Sequence, residues 1–168
     1  MAPDRRNTRA LLAIGLGAGL TSQEIQRLVG TDVTTGGGAV LVTVPGAMAR
    51  RVPVLPVWAE TVQRLALESG EGPFFCPERT RITRRDVIGF IERCSGDDTA
   101  RFNVQRLRVT WIVHHLSDAT HLLRLTAWAG VGAGQIVKDL RYASLPEDPG
   151  ADVRGLDRVT TLGRRDPS

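Results

Sequence analysis

The sequence predicts a mainly α-helical domain carrying one small antiparallel β-hairpin sheet, an α+β arrangement. Two observations predict it. Apolar residues recur at helical spacing through most of the 168 residues, whereas alternation compatible with strands occurs in one place, on either side of Pro45-Gly46. Helix-start signals, a Ser or Thr followed three positions later by an acid, stand before two of the periodic stretches.

Taken in order, Asn7 to about Leu16 reads as a helix with Leu11, Leu12 and Gly15 on one face, broken by Gly17 and Gly19. Thr21 with Glu24 forms a capping-box pattern before Ile25, Leu28 and Val29, so a second helix is expected to run to Gly30. Thr34–Gly38 reads as a turn-rich connector, Ala39–Val44 and Arg50–Leu55 as the two strands, and Val57–Ser69 as a third helix. Phe74-Phe75-Cys76 is a short buried stretch. Thr83 with Asp86 opens a helix through Cys94, whose expected core face is Val87, Ile88, Ile91 and Cys94. A helix from about Asn103 to Ser117 buries Val104, Leu107, Trp111 and His115 or Leu116. Thr120 opens a helix to Trp128, and Gln135–Tyr142 is the last. Residues 1–145 are thus expected to form one domain, and the Pro-, Gly-, Asp- and Arg-rich residues 146–168 a mobile tail.

Composition narrows the function classes. No apolar run reaches the length of a membrane span, and Leu11–Leu20 has no small-residue cleavage site after it, so a cytoplasmic protein without membrane partners is expected. Cys76 and Cys94 show no metal-ligand or disulfide spacing and are expected to be buried thiols. Adjacent helical residues such as His114 and His115 point about 100° apart, which does not make a metal pair with His121. No metal or cofactor is therefore expected. Net charge is +4 with a pI of about 10.0, and Lys138 is the only lysine. Arginine's planar fork suits phosphate, which makes nucleic acid a candidate partner. The densest basic run is Arg79, Arg81, Arg84 and Arg85, and Arg50-Arg51 forms a second on the hairpin. A solvated face and contact with a DNA backbone both fit these runs.

Several boxes resemble the tyrosine recombinase (phage integrase) catalytic domain. Gly19-Leu20-Thr21-Ser22-Gln23-Glu24-Ile25, followed by Asp32-Val33, is similar to the family's Gly-Leu-Arg-x-x-Glu-Leu opening box. Arg51-Val52-Pro53-Val54 is similar to its Arg-x-Val-Pro-Leu strand. Gln105-Arg106-Leu107-Arg108-Val109-Thr110-Trp111, continuing through His115-Leu116, resembles its His-x-Leu-Arg-His-Thr-Phe box, and Leu122–Trp128 the helix ending in Leu-Gly-His. The resemblance spans Asn7 to Tyr142. It corresponds to the catalytic domain without the amino-terminal helical domain through which family members encircle DNA, so weaker and more salt-dependent binding is expected.

The family's reaction uses a tyrosine to attack a DNA phosphate while two arginines neutralise the charge that builds on the phosphate oxygens. The resemblance places the first arginine at Thr21, the hairpin lysine near Ala47, the histidine of the second box at Gln105 and the second arginine at Arg108. It places the histidine-or-tryptophan position at Trp128 and the nucleophile at Val137. Tyr142, the only tyrosine, lies five residues further on, about 7.5 Å along a helix and on another face. Arg108 and Trp128 are thus the remnants of the catalytic set, and Tyr142 is the one candidate nucleophile. Losing a single transition-state donor costs about 10²–10³ in rate. Several are missing here, so the resemblance implies a domain that binds double-stranded DNA through Arg50, Arg51, Arg79, Arg81, Arg84, Arg85 and Arg108 without cleaving it. Such a domain would serve as an accessory or regulatory factor of a mobile element. Alternatives are an active recombinase using Tyr142, and a protein-interaction module that has lost DNA and associates with itself or an active recombinase. Arg108 also fits a buried structural role, paired to Glu24 or an aspartate.

Overall fold

The computed structural model describes residues 3–46, 48–95, 103–118 and 120–139. The architecture is mainly helical with one three-stranded antiparallel sheet of order β1-β2-β3. Helix α1 spans Pro3–Gly17 and α2 Ser22–Ile25; a 3-10 turn, Gly30–Asp32, leads to β1 (Val33–Gly36), β2 (Ala39–Val44) and β3 (Arg50–Pro53). Helices α3 (Pro56–Ser69), α4 (Arg84–Ser95), α5 (Val104–Ser117), α6 (Leu122–Ala129) and α7 (Ala133–Asp139) follow.

The predicted strands pair with Val42 opposite Val52 and Val44 opposite Arg50. Val40, Val42 and Val44 face inward while their neighbours are half-buried, the period-2 pattern of a strand with one covered face. The third strand corrects the reading of Thr34–Gly38 as a connector. β1 runs along β2 with Gly36 opposite Ala39, leaving Gly37-Gly38 as a two-residue turn with φ of 58° and 78°. Positive φ at both positions is what a tight hairpin turn of matching twist requires, and glycine adopts it without strain. Nothing in the apolar pattern marks this strand, because its outer three residues are exposed.

The second helix is also shorter than expected. Its capping box is present, with Thr21 and Glu24 bonded reciprocally, but regular helix stops at Ile25. Leu28 is nevertheless buried, its carbonyl accepting from the Phe74 amide at 2.8 Å. Helix α1 begins four residues before the predicted Asn7, at Pro3. In α4 the core face is Val87 and Phe90, with Ile91 half-buried, whereas Ile88 and Cys94 are exposed. The buried face is turned by part of a helical turn from the expected one, because Phe90, three residues past Val87, directs it. The expectation of two buried thiols therefore holds for Cys76 alone. At α6 the cap is His121 rather than Thr120, its Nδ1 accepting from the Leu123 amide at 3.3 Å.

One continuous core joins these elements, with Leu11, Ile14, Leu20, Leu65, Phe74, Trp111, Ile112 and Leu125 fully buried. Helix α1 packs on both α3 and α5, and α6 lies against β3. Arg6 crosses the first of these interfaces, donating to the carbonyls of Phe74 at 2.9 Å and Leu65 at 3.2 Å and to Ser69 Oγ at 2.6 Å. Asn7 Oδ1 accepts from the Cys76 amide at 3.1 Å. Both residues serve as internal staples. The last part of the predicted seventh helix, and the predicted tail from 146, lie outside the described residues. Among the described residues no helix is long and apolar enough to cross a membrane.

Candidate functional site

The site is built where the opening box, the hairpin and the end of α6 meet. Thr21 is extended (φ −78°, ψ 163°) and caps α2: its Oγ1 accepts from the Glu24 amide at 3.3 Å, and its own amide donates to Glu24 Oε2 at 2.8 Å. The other oxygen of Glu24 is taken by Arg50, whose Nη1 donates to Oε1 at 2.7 Å, with side-chain exposures of 9% for Arg50 and 18% for Glu24. Burial pushes the Glu24 carboxyl up, but the hydrogen bonds from Arg50 and Thr21 outweigh it and hold the group below the ordinary carboxylate range.

Arg108, projecting from α5, is 4% exposed. Its Nη1 donates to the Gly19 carbonyl and its Nη2 to the Ala129 carbonyl, the latter at 2.6 Å. Arg50 Nε donates to the neighbouring Trp128 carbonyl at 2.6 Å. Two guanidinium groups therefore terminate α6 by binding two consecutive carbonyls that have no partner within the helix. This is the end of a helix that favours positive charge. Gly130 closes the helix at φ 65°, and a Cβ there would sit 2.9 Å from Arg50 Cζ, so only glycine lets the guanidinium lie flat against this turn. Burial lowers the affinity of Arg108 for its proton, and the like charge of Arg50 adds to that; Glu24 and, less strongly, Asp139 oppose it.

An aromatic group adjoins this network. The ring of His115 lies 4.6 Å from Trp111 and 5.5 Å from Trp128, centroid to centroid. His115 Nδ1 and Thr120 Oγ1 are 3.1 Å apart. Burial, and secondarily His114, hold the His115 pKa below its ordinary value against the pull of Asp118. Trp128 is half-buried, with the Arg124 guanidinium 6.0 Å from its ring.

Of the positions drawn from the sequence, Arg50, Arg108 and Trp128 converge at the end of α6. Gln105 and Val137 are exposed, while Ala47 and Tyr142 lie outside the described residues. Arg51, Arg79, Arg81, Arg84 and Arg85 are all exposed. Arg79 pairs with Asp86. Arg79 and Arg81 share a cleft of about 520 Å³ with Arg27, and Arg79 and Arg85 share a smaller one of about 180 Å³ with Arg93. Arg27 and Arg93 carry no signal in the sequence, because each stands alone in a helical stretch; only the fold sets them beside the basic run. The inward turn of Arg50 is equally hidden, since Arg50-Arg51 reads as a surface pair. Among the described residues no group of three or more His, Cys, Asp or Glu side chains is placed to hold a metal.

No protein-family model matches the sequence, and no curated protein matches it. Solved structures do. XerH site-specific recombinase in a pre-cleavage complex with its difH substrate superposes with a TM-score of 0.63 at 18% identity, covering 83% of this chain and 44% of XerH. XerA recombinase gives 0.61 at 15% identity over 98% of this chain and 62% of its own length. The Tn1549 transposon integrase bound to circular-intermediate DNA gives 0.60 at 14% identity, covering 89% and 57%. The chain thus spans roughly half the length of these proteins. At such identities the likeness concerns fold, and it agrees with the order of helices and sheet set out above: the chain has the fold of a tyrosine recombinase catalytic domain.

Proposed function

We propose that this chain is a recombinase-like protein that holds duplex DNA without cleaving it, as an accessory or regulatory factor of a mobile element. The observation that carries the reading is the state of the two arginine positions. At the first stands Thr21, whose hydroxyl and amide are both engaged in capping α2. At the second, the donors of Arg108 reach backbone carbonyls of Gly19 and Ala129. A phosphate in transit between two oxygens gains charge that preorganised donors must meet, and donors committed to the scaffold do not meet it. The exposed Arg51, Arg81, Arg84 and Arg85 supply the backbone contacts that hold DNA. The DNA complexes of XerH and the Tn1549 integrase support a nucleic-acid partner.

A nicked duplex that traps covalent recombinase–DNA intermediates tests the non-cleaving part. The expected result is retarded DNA without an adduct that survives denaturation. An adduct that disappears in Tyr142→Phe would establish an active enzyme instead. Affinity for mixed-sequence duplex that does not change with salt would point to an interaction module.

A further inference from the structure

Away from the end of α6, positive charge collects at a second place. A cavity of about 180 Å³ lies between α1, residues 76–79 and α4, and Arg79, Arg85 and Arg93 all line it. Asn7, Cys76 and Phe90 line it too, and these three are buried. Arg79 is anchored, its Nη1 donating to Asp86 Oδ1. Arg93 folds back along α4 toward Arg85, with Cζ 5.7 Å from the ring centroid of Phe90. Among the described residues neither Arg85 nor Arg93 takes part in an ion pair.

Two carboxylates line the same cavity, and both have other work. Asp86 gives one oxygen to Arg79, while the other accepts from the Thr83 amide at 2.8 Å and hydroxyl at 2.7 Å. Glu78 acts electrostatically on Arg6 and on the Cys76 thiol. Three guanidinium groups against two carboxylates leave one positive charge over. Beside a buried wall that charge is screened less than on an open surface, so an anion is favoured. The volume of about 180 Å³ is below the roughly 300–1,000 Å³ of pockets for drug-sized ligands. It suits one tetrahedral oxyanion and not a whole nucleotide.

We propose that this cavity is a phosphate subsite: Arg85 and Arg93 donate to the oxygens of one phosphate group, and Arg79, anchored by Asp86, supplies the third guanidinium. Planar guanidinium forks match tetrahedral phosphate oxygens, whether the phosphate is free or one phosphodiester of a nucleic-acid backbone. The site uses neither the opening box nor the hairpin, and its occupancy does not depend on the DNA-holding reading.

The test titrates the full chain with inorganic phosphate by calorimetry, in chloride buffer at constant ionic strength. Wild type should take up phosphate with a saturable heat, and Arg85→Gln with Arg93→Gln should bind it about tenfold more weakly. Arg84→Gln removes an adjacent charge that does not line the cavity, and should bind phosphate as wild type does. All three side chains are exposed, so melting temperatures should stay close to wild type. Duplex-DNA affinity, measured with and without phosphate at the same ionic strength, separates the two sources. Competition seen in wild type and lost in the double variant identifies a backbone phosphodiester; DNA affinity indifferent to phosphate identifies a free phosphate or a monoester. Absence of saturable phosphate binding in wild type overturns the proposal, and so does an equal loss in Arg84→Gln and the double variant. Failure to bind DNA at all removes the DNA-holding reading and leaves the phosphate result to decide the cavity.

Discussion

Glu24 shows how much one side chain can hold in place. It closes the α2 capping box with one oxygen and pairs with Arg50 with the other, so Glu24→Ala strips a buried guanidinium of its partner. Breaking a buried pair from one side typically costs about 3–5 kcal/mol, which urea denaturation at neutral pH should register. The same carboxyl sets an acid limit. Its folded pKa lies below its unfolded value, so its stabilisation is complete above the unfolded pKa and disappears as pH falls through the folded one. Stability should decline below about pH 4.3, and Glu24→Gln should flatten that part of the profile. His115 acts in the same direction at higher pH. Buried and held below its ordinary pKa, it stays neutral while the unfolded chain takes up a proton, so stability falls as pH drops below about 6.5. A histidine ring resonance titrating clearly below that value checks it, and one titrating at or above it overturns the assignment. At this scale the sequence points to Arg108, Trp128 and Arg50 but not to what they touch. Burial of an arginine on carbonyls leaves no signature in spacing, because its partners are backbone atoms of any residue type.

At the scale of elements, the caps are legible and the edges are not. Thr21 and Asn103 stand where their helices begin, with Asn103 Oδ1 accepting from the Arg106 amide at 2.7 Å. Thr21→Ala should cost about 1 kcal/mol in urea denaturation, without loss of the β-sheet. Among the described residues, helices α1, α3, α4, α5 and α6 and both predicted strands lie where apolar periodicity places them, within a few residues at their ends. Helix α2 falls short because tertiary contacts take over: Leu28, in phase with Ile25, is buried and its amide still donates to the Glu24 carbonyl, but its own carbonyl accepts from Phe74 in another segment. β1 escapes the pattern for the opposite reason, having almost no buried face. Its turn, Gly37-Gly38, is the readable signal, and a glycine pair flanked by strand residues carries more information than the polarity of the strand it ends.

At the scale of the whole molecule, two kinds of arginine stand out among the described residues. Arg6, Arg50 and Arg108 are internal ties that bind carbonyls of distant segments, while Arg51, Arg81, Arg84 and Arg85 remain exposed. If the second group touches phosphate, Arg84→Gln with Arg85→Gln should weaken binding uniformly across DNA sequences and lower the salt slope by about one for each phosphate no longer neutralised. Their melting temperature should stay close to wild type, since neither is buried. Order of elements makes this fold readable at 14–18% identity to the structures it resembles, because the order follows from local periodicity whereas the long-range ties do not. The two cysteines offer a way to watch that scaffold open. Cys76 is buried, its thiol pushed up to about 12, while Cys94 is exposed. Only a thiolate attacks a maleimide readily, so the native chain should accept a fluorophore at Cys94 alone, with no engineered residue. Slow capture of a second equivalent would then time the release of the Phe74–Cys76 segment from the core, converting an ordinary pair of thiols into a clock for local unfolding.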